Sequence, residues 1–550
     1  MATKWSESYD IVVVGSGASG LAAAITAQSK GMKTLIIEKL DKWGGSSSYS
    51  GGGLWIPNNY LMQDQDAIDS SEEALQYMEN VIHYKGQATS RARKEAYVHN
   101  APEMVLHLKK LGFKWRRADL YPDYYPNVPG AKTGRCVEGE VFNAKKLGAF
   151  RKTMLIQPGM PNMPFGSGDV YLIPLATQTW AGFKKLASVV LKTITGTLTG
   201  KEWFGAGKTL VAQMMYILQE KYKTPVWLNS PLTDIVIENN RVAGVTVTKD
   251  GKQIHVKANK AVLLGAGGFA KNAEYRQKYQ PVTGEWSSAA PGDQGEGIQI
   301  GEKTGGALAL MDEAWWGGSF KMNGLMNFSI WERSYPGAIM VDHHGNRYVN
   351  ESSSYVDLGR KMLEQESKVG GAAPSWLIMD GIHRKKYLFG THPGGMTPSK
   401  LIKDSTFVKA SSLEDLAKQC GINAENLNKT VKKFNSQAAQ GIDDDFQRGN
   451  DIYDRYYSDY RVLPNSTLAP IENPPFWAIR YYPGDLGTKG GLVTDEHARV
   501  LRQDGSVIEG LYASGNNTAS VMGETYPGAG STIGPACTFS YIAMNHAAEI

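Results

Sequence analysis

The sequence predicts an α/β fold in which a discontinuous domain with a parallel sheet is interrupted by an inserted α+β domain. Three observations carry that expectation. Between Asp10 and Glu38 a β-branched run, a glycine turn, an apolar helix and a second strand follow one another. Glycine-rich sequence is densest near the two ends of the 550 residues, at 15–53 and again at 484–534. Across 316–488 no strand–turn–helix unit of the first kind recurs, and the composition is mixed. The chain is therefore expected to divide into a first part, 1–315, an insertion, 316–488, and a return, 489–550, that closes the first domain.

Asp10–Val14 reads as a short strand, Gly15–Gly20 as a turn, Leu21–Lys30 as a helix stopped by Gly31, and Thr34–Glu38 as a second strand. A Gly/Ser-rich loop follows at 44–53, then an extended Leu54-Trp55-Ile56-Pro57. Helices are expected over 71–83 and 91–111, with tyrosine-bearing turns at 119–134. From Asp234 the pattern is stranded: 234–238, a hairpin signal at Asn239-Asn240, 242–248, then two short strands at 254–256 and 261–264 ending in Gly265-Ala266-Gly267-Gly268. A last helix is expected from Pro535 to about Ala548.

Composition narrows the function. With 42% hydrophobic and 21% charged residues the chain buries a large core, and 61 glycines point to backbone packed against a ligand. A net charge of +5 makes nucleic acid a poor partner for a chain of this size. Cys136, Cys420 and Cys537 are scattered and odd in number, which argues against a disulfide framework or a cysteine metal site and for a reducing compartment. None of the ten histidines has ligand spacing, and His343-His344 reads as a turn, so no metal is expected. No secretion signal is visible before Asp10 and no run of roughly 18 apolar residues occurs, so a cytoplasmic protein is expected.

Gly15-Ser16-Gly17-Ala18-Ser19-Gly20 is a G-x-G-x-x-G set between strand and helix, with Glu38 closing the next strand 18 residues later. Gly15 permits the turn, Gly17 admits a pyrophosphate to the helix N-terminus, Gly20 lets helix and strand pack, and Glu38 accepts from ribose hydroxyls. That motif does not separate FAD from NAD. The long loop after Glu38, a further strand ending at Ala266-Gly267, and Gly515-Asn516 with Ser531–Gly534 before the last helix favour FAD, because a helix N-terminus there stabilises charge at a reduced flavin. The candidate FAD contacts are Gly15, Ser16, Gly17, Ser19, Gly20, Glu38, Lys39, Gly45, Ser46, Ser47, Ser50, Gly51, Gly52, Gly53, Ile235, Ala266, Gly267, Gly515, Asn516, Ser531 and Ile533.

Glu38-Lys39, Trp43–Ser47, Ser50–Pro57, Gly510–Asn516 and above all Tyr526-Pro527-Gly528-Ala529-Gly530 resemble the fumarate reductase flavoproteins and, more closely, the 3-ketosteroid Δ1-dehydrogenases, over essentially the whole chain. That resemblance implies removal of a C1 hydride and a C2 proton from a 3-ketosteroid. It implies Tyr526 hydroxyl and Gly530 N–H as the donors to the C3 carbonyl, and Tyr355, assisted by Tyr124, as the base. Tyr125 rivals Tyr124, and Tyr348 rivals Tyr355. An electron acceptor, not identified by the sequence, completes the partners.

Departures from related patterns sharpen the expectation. Leu486–Gly491 lacks the histidine of a dicarboxylate site, and 46–50 lacks a flavin-attaching histidine, which implies non-covalent FAD. Tyr482-Pro483-Gly484 lacks the Tyr-x-Ser of the 3-keto-(5α)-steroid Δ4-dehydrogenases. Δ4 chemistry and a fumarate reductase-like activity stay as alternatives, as does a flavin- and steroid-binding protein without turnover.

Two further segments draw notice. Gly205–Thr209 imitates the end of a P-loop but follows no strand and lacks the first glycine. Residues 181–223 carry seven lysines against Glu202 and Glu220, with Phe183, Leu186, Val189, Val190 and Ile194 at helical spacing. Such a basic amphipathic segment is a candidate for peripheral contact with the inner face of the cell membrane, against the alternative of a helix pair packed on the first domain.

Overall fold

The computed structural model describes every residue except Met1, Ala2, Asp66, Met160, Pro161 and Met163. Its first layer grows from β1 (Glu7–Val14), α1 (Ala18–Ser29) and β2 (Thr34–Ile37). The main sheet adds β3 (Val226–Trp227), β4 (Leu232–Glu238), β5 (Arg241–Lys249) and β6 (Lys252–Leu264). Ile11, Val13 and Ile36 face one core while Val12, Val14, Leu35 and Ile37 face another. That alternation explains why β1 and β2 read as unbroken apolar runs: a parallel sheet covered on both faces buries both sets.

Where two short strands are expected at 254–256 and 261–264, the structure has one, β6, of 13 residues. The polar interval Lys257–Lys260 stays extended because β6 serves different partners along its length. Its first half pairs antiparallel with β5 and its second half runs parallel to β1. Asn239 and Asn240 turn the β4–β5 hairpin with φ of 51° and 60°.

The second sheet is built from β7 (Ala314–Met322), β8 (Leu325–Phe328), β9 (Ala338–Val341), β10 (Ser375–Met379), β11 (Val408–Ala410) and β12 (Phe476–Thr488), in the order β8-β7-β12-β10-β9 with β11 on β12. Ala314 pairs with Thr488, so the strands that enter and leave this region are neighbours. The expected division at 316 and 488 thus falls near the start of β7 and on the last residue of β12. After it, β13 (Arg499–Leu501) and β14 (Val507–Ala513) return to the main sheet, giving the order β13-β14-β6-β1-β2-β3.

Segment 181–223 is not one amphipathic unit but two helices, as in the helix-pair alternative, of which only the second is packed into the core. It divides into α2 (Trp180–Leu198), largely exposed, and α3 (Ala206–Ile217), almost wholly buried, with Met214 and Met215 in the core. The P-loop look-alike is the start of α3. An added Cβ at Gly207 would stand 2.2 Å from Ser47 O, so this glycine serves packing against the Gly/Ser loop. Two helices complete the frame of the site: α4 (Tyr355–Lys368) and α5 (Ile533–Glu549). Helix α5 starts two residues before Pro535, which its first turn tolerates. Among the described residues no helix is long and apolar enough to cross a membrane.

Candidate active site

Helices α1 and α5 begin side by side. Ser19 and Ser540 hydroxyls are 3.1 Å apart, and the Cys537 thiol bonds to Ala18 O at 3.8 Å. Gly515 fits between the two first turns at φ +67°. An added Cβ would lie 3.3 Å from Ser19 Cβ and 3.4 Å from Ala536 Cβ. Neither helix has a side-chain cap or an acidic residue in its first turn. Two positive helix ends therefore converge without a protein anion at either, although Ala18 N–H goes to Ser47 Oγ and Gly534 N–H to Gly530 O, and this makes a ready site for negative charge.

The loop after β2 passes over α1. A Cβ on Gly45 would stand 3.6 Å from Gly17 Cα, and one on Gly17 3.4 Å from Ser47 Oγ, so side chains at either position would fill the narrow space between loop and helix. Ser47 Oγ accepts from Ala18 N–H at 3.0 Å, and Ser46 Oγ accepts from Ala290 N–H at 3.0 Å. Glu38 is held at the rim. Its carboxylate accepts from Ser16 N–H and hydroxyl at 3.2 and 2.6 Å, and from Leu40 N–H at 3.0 Å. Gly15 packs against Gly265 and Gly20 against Gly15, which brings strand and helix into contact. Lys39 pairs with Glu296.

Not every expected contact faces this space alike. Gly51, Gly52 and Gly53 are pressed against Ser167, Ala206 and Cys136 respectively, and Ser50 donates to Ser47 O. Ile235 lies on β4 with its side chain in the core beside Val12 and Ile37. Ala266 N–H donates to Asn517 Oδ1 at 2.7 Å, and an added Cβ on Gly267 would meet Asp293. Asn516 Oδ1 accepts from Trp315 Nε1, and Ser531 and Ile533 lead into α5.

Asp293, Asn517 and Thr488 are functional candidates that sequence reasoning missed. Thr488 Oγ1 accepts from Phe269 N–H and Asp293 accepts from Gly268 N–H. Asp293 Oδ2 and Asn517 Nδ2 are buried without a protein partner, which leaves one acceptor and one donor for a polar ligand. Burial pushes the Asp293 carboxyl up to about 6. The glycine space, the paired helix ends and these orphaned atoms fit a dinucleotide with a polar ring edge.

The predicted tyrosines meet next to this site. Ring centroids of Tyr124 and Tyr355 are 5.5 Å apart, Tyr124 and Tyr526 5.3 Å, and Tyr355 and Tyr526 4.9 Å. Each arrives from a different segment. Asp123 clamps the Tyr124 turn by accepting from Trp55 Nε1 at 2.7 Å and from Arg135 at 2.8 Å, while Tyr124 N–H donates to Pro527 O. Tyr355 is the first residue of α4, capped by Ser354. Tyr526 lies on the loop before α5, edge-on to Trp315.

Gly530 holds that loop down. At φ +98° an added Cβ would come within 2.5 Å of the Gly53–Leu54 backbone. The Thr532 hydroxyl donates to the Tyr526 hydroxyl at 3.3 Å, and Tyr355 and the Gly530 N–H lie beside it. Burial raises all three tyrosines above the ordinary phenol value, Tyr124 and Tyr355 far above it. The hydrogen bonds to Tyr526 oppose its rise.

The rivals separate on geometry. Tyr125 turns away to donate to Asp357 at 3.2 Å, and Tyr348 lies in another core against Ser375. A hydroxyl chain unnoticed in the sequence extends from Tyr124 to Tyr121 at 3.3 Å and on to Tyr457 at 2.7 Å.

A parallel sheet whose first helix, glycine turn and returning C-terminal helix enclose one dinucleotide space defines an FAD-binding flavoprotein. The model of the FAD binding domain family matches residues 10–533. A 3-oxosteroid 1-dehydrogenase of Mycolicibacterium smegmatis is 41% identical over 98% of this chain and 96% of its own length. The protein of that name from Mycobacterium tuberculosis H37Rv is 39% identical over 99% of both. The crystal structure of 3-ketosteroid Δ1-dehydrogenase from Sterolibacterium denitrificans, in complex with 1,4-androstadiene-3,17-dione, superposes with a TM-score of 0.92 at 37% identity, covering 99% of this chain and 100% of that one. The chain belongs to the 3-oxosteroid 1-dehydrogenase family and binds FAD.

Proposed function

We propose that the protein catalyses 1,2-dehydrogenation of a 3-ketosteroid, converting a 3-keto-4-ene to a 3-keto-1,4-diene. The observation that carries this reading is the convergence of Tyr124, Tyr355 and Tyr526 on one another beside the N-terminus of α5. Bound FAD supplies the acceptor for the C1 hydride.

The remaining work falls to the chain. A C2–H is acidic only while the developing enolate oxygen is held, and a donor pair does this best where water is excluded. Tyr526 hydroxyl and Gly530 N–H are adjacent, the first buried and the second half-buried, which suits them to hold the C3 oxygen. Donors around the Tyr526 oxygen make its own O–H a stronger donor. Tyr355 oxygen takes the C2 proton. A phenol raised so far above 10 is neutral at pH 7 and accepts a proton by passing its own onward. Tyr124, whose ring lies 5.5 Å from that of Tyr355, and the hydroxyls of Tyr121 and Tyr457 beyond it offer that path once the Tyr355 O–H turns from Tyr526 to Tyr124.

The loop 46–50, Ser-Ser-Ser-Tyr-Ser, carries neither histidine nor cysteine, which supports non-covalent FAD. Acid precipitation is expected to release all the yellow colour into the supernatant. The activity is tested by adding a 3-keto-4-ene steroid without oxygen. Bleaching of the flavin absorbance with formation of the 1,4-diene is expected. Persistent yellow colour, or a double bond at another position, would overturn the assignment.

A further inference from the structure

The Leu486–Gly491 stretch has no histidine, but it brings a lysine up to the neighbours of Tyr526. Lys489 follows the last residue of β12, and its backbone is pinned from both sides. Its N–H donates to Glu313 O and its carbonyl accepts from Ser520 N–H, each at 3.0 Å. The two glycines after it seat the turn. An added Cβ would stand 2.3 Å from Leu310 O at Gly490 and 2.4 Å from Asn517 O at Gly491. The Lys489 side chain runs inward and is fully buried.

Its amino group meets two groups that touch or flank Tyr526. It donates to Thr525 O, the carbonyl just before Tyr526, at 2.9 Å, and it lies 4.7 Å from the Trp315 ring. Trp315 stands edge-on to the Tyr526 ring at 5.3 Å and donates to Asn516. The carboxylates nearby are held by other partners. Glu313 and Glu524 pair with Arg360 at 3.2 and 3.4 Å, and Asp357 accepts from Tyr125. Among the described residues Lys489 makes no ion pair. Burial, with Arg360, pulls its pKa from 10.5 down to about 7 against Glu313, Asp357 and Glu524. Charged or neutral, the nitrogen keeps a proton to donate to Thr525 O.

A buried amino group without an ion pair is costly, and an apolar side chain of the same length is often the more stable filling. The contacts of Lys489 explain its place. We propose that Lys489 is a positioning residue for Tyr526: by fixing Thr525 O on one side and the Trp315 ring on the other, it sets where the Tyr526 hydroxyl meets the C3 oxygen of the substrate. This inference rests on the role assigned to Tyr526 above. A hydroxyl displaced by a fraction of an ångström still binds a ketone but no longer meets the developing oxyanion well, so the effect belongs to kcat rather than to KM.

The test is a double-variant cycle on the full-length, FAD-loaded protein: Lys489→Met, Tyr526→Phe and the two combined, read by kcat, steroid KM and FAD content. Lys489→Met keeps the length of the side chain and removes its donor. It is expected to lower kcat roughly 10–100-fold with KM changed less than about threefold and FAD retained. In the Tyr526→Phe background the same change is expected to cost no more than about a further threefold, because no hydroxyl is left to place. Two losses that multiply in full, or Lys489→Met within about twofold of wild type, would overturn the proposal. Should Lys489→Met not retain FAD, Lys489→Gln is read by the same two criteria. Lys85→Gln, at the exposed end of the same charged group through Glu524, is expected to leave kcat unchanged, and a loss equal to that of Lys489→Met would overturn the proposal in favour of the charge of the group as a whole. Wild type that turns over no 3-keto-4-ene steroid would overturn the reaction and this inference together, whereas active wild type with an indifferent Lys489→Met would overturn the inference alone.

Discussion

Around the first turns of α1 and α5 the groups on offer to a ligand are backbone N–H donors framed by glycine, whereas at the adjoining cluster they are hydroxyls of Tyr124, Tyr355 and Tyr526. The first region works by what is absent: a side chain on Gly17 or Gly45 would fill the space. On the proposed reading the second works by what is present, and its members come from three segments far apart in sequence. Truncating side chains should therefore damage the second region's chemistry and spare the first region's binding, while adding side chains should do the reverse.

The largest effect expected is on turnover. Tyr355→Phe should lose roughly 10²–10⁴ and Tyr526→Phe ~10²–10³ in rate with FAD retained, read by steady-state kinetics and visible absorbance. Tyr125→Phe, whose hydroxyl donates to Asp357, should keep its rate within about threefold of wild type because it touches no reacting group, while losing roughly 1–3 kcal/mol of stability by leaving the half-buried Asp357 short of a donor. Near-normal rates in either of the first two would break the comparison.

Next comes Gly530→Ala. A Cβ at φ +98° within 2.5 Å of the Gly53 backbone should destabilise by roughly 2–5 kcal/mol in urea unfolding. Gly31→Ala, at φ +78° with nothing within 4 Å, should lose only about 1 kcal/mol. Equal losses would mean that the Gly530 loop is less tightly seated than its geometry implies. Glu38→Gln removes charge at the rim of the dinucleotide space and should weaken FAD roughly 10–100-fold by equilibrium titration, with little change in the steroid step.

The smallest effect lies outside both regions. Burial holds His383 neutral by lowering its pKa from 6.5 to about 3. Between those values an unfolded chain binds a proton that the folded one does not, so stability falls as pH drops from 6.5 towards 3. His383→Gln should make the fall in Tm between pH 7 and pH 5 shallower, and an unchanged slope would assign the acid sensitivity to other groups.

The same contrast decides what was legible in the sequence. Gly15, Gly17, Gly20 and Glu38 act within one short stretch, so their spacing alone announces a dinucleotide space. Tyr124, Tyr355 and Tyr526 are three among 27 tyrosines, and only the family resemblance singled them out. Tyr121 and Tyr457, 336 positions apart and bonded at 2.7 Å, had no local signal at all. Asp293 and Asn517 likewise gain meaning only from tertiary contacts that leave one atom of each unpaired. Residues 181–223 show the limit in another way. Their composition is apolar and basic throughout, yet α3 is buried under the Gly/Ser loop and α2 is not, and periodicity alone does not say which face finds a partner.

The hydroxyls of Ser19 and Ser540 touch across 521 positions of chain. During synthesis α1 leaves the ribosome long before α5, and its alanine-rich face waits uncovered while the whole second sheet is made. A chaperone that shields small apolar helices, or early arrival of FAD at the Gly17 turn, would protect this interval. Stalled chains that stop short of α5 are expected to be cleared by proteases rather than to accumulate as half-built enzyme.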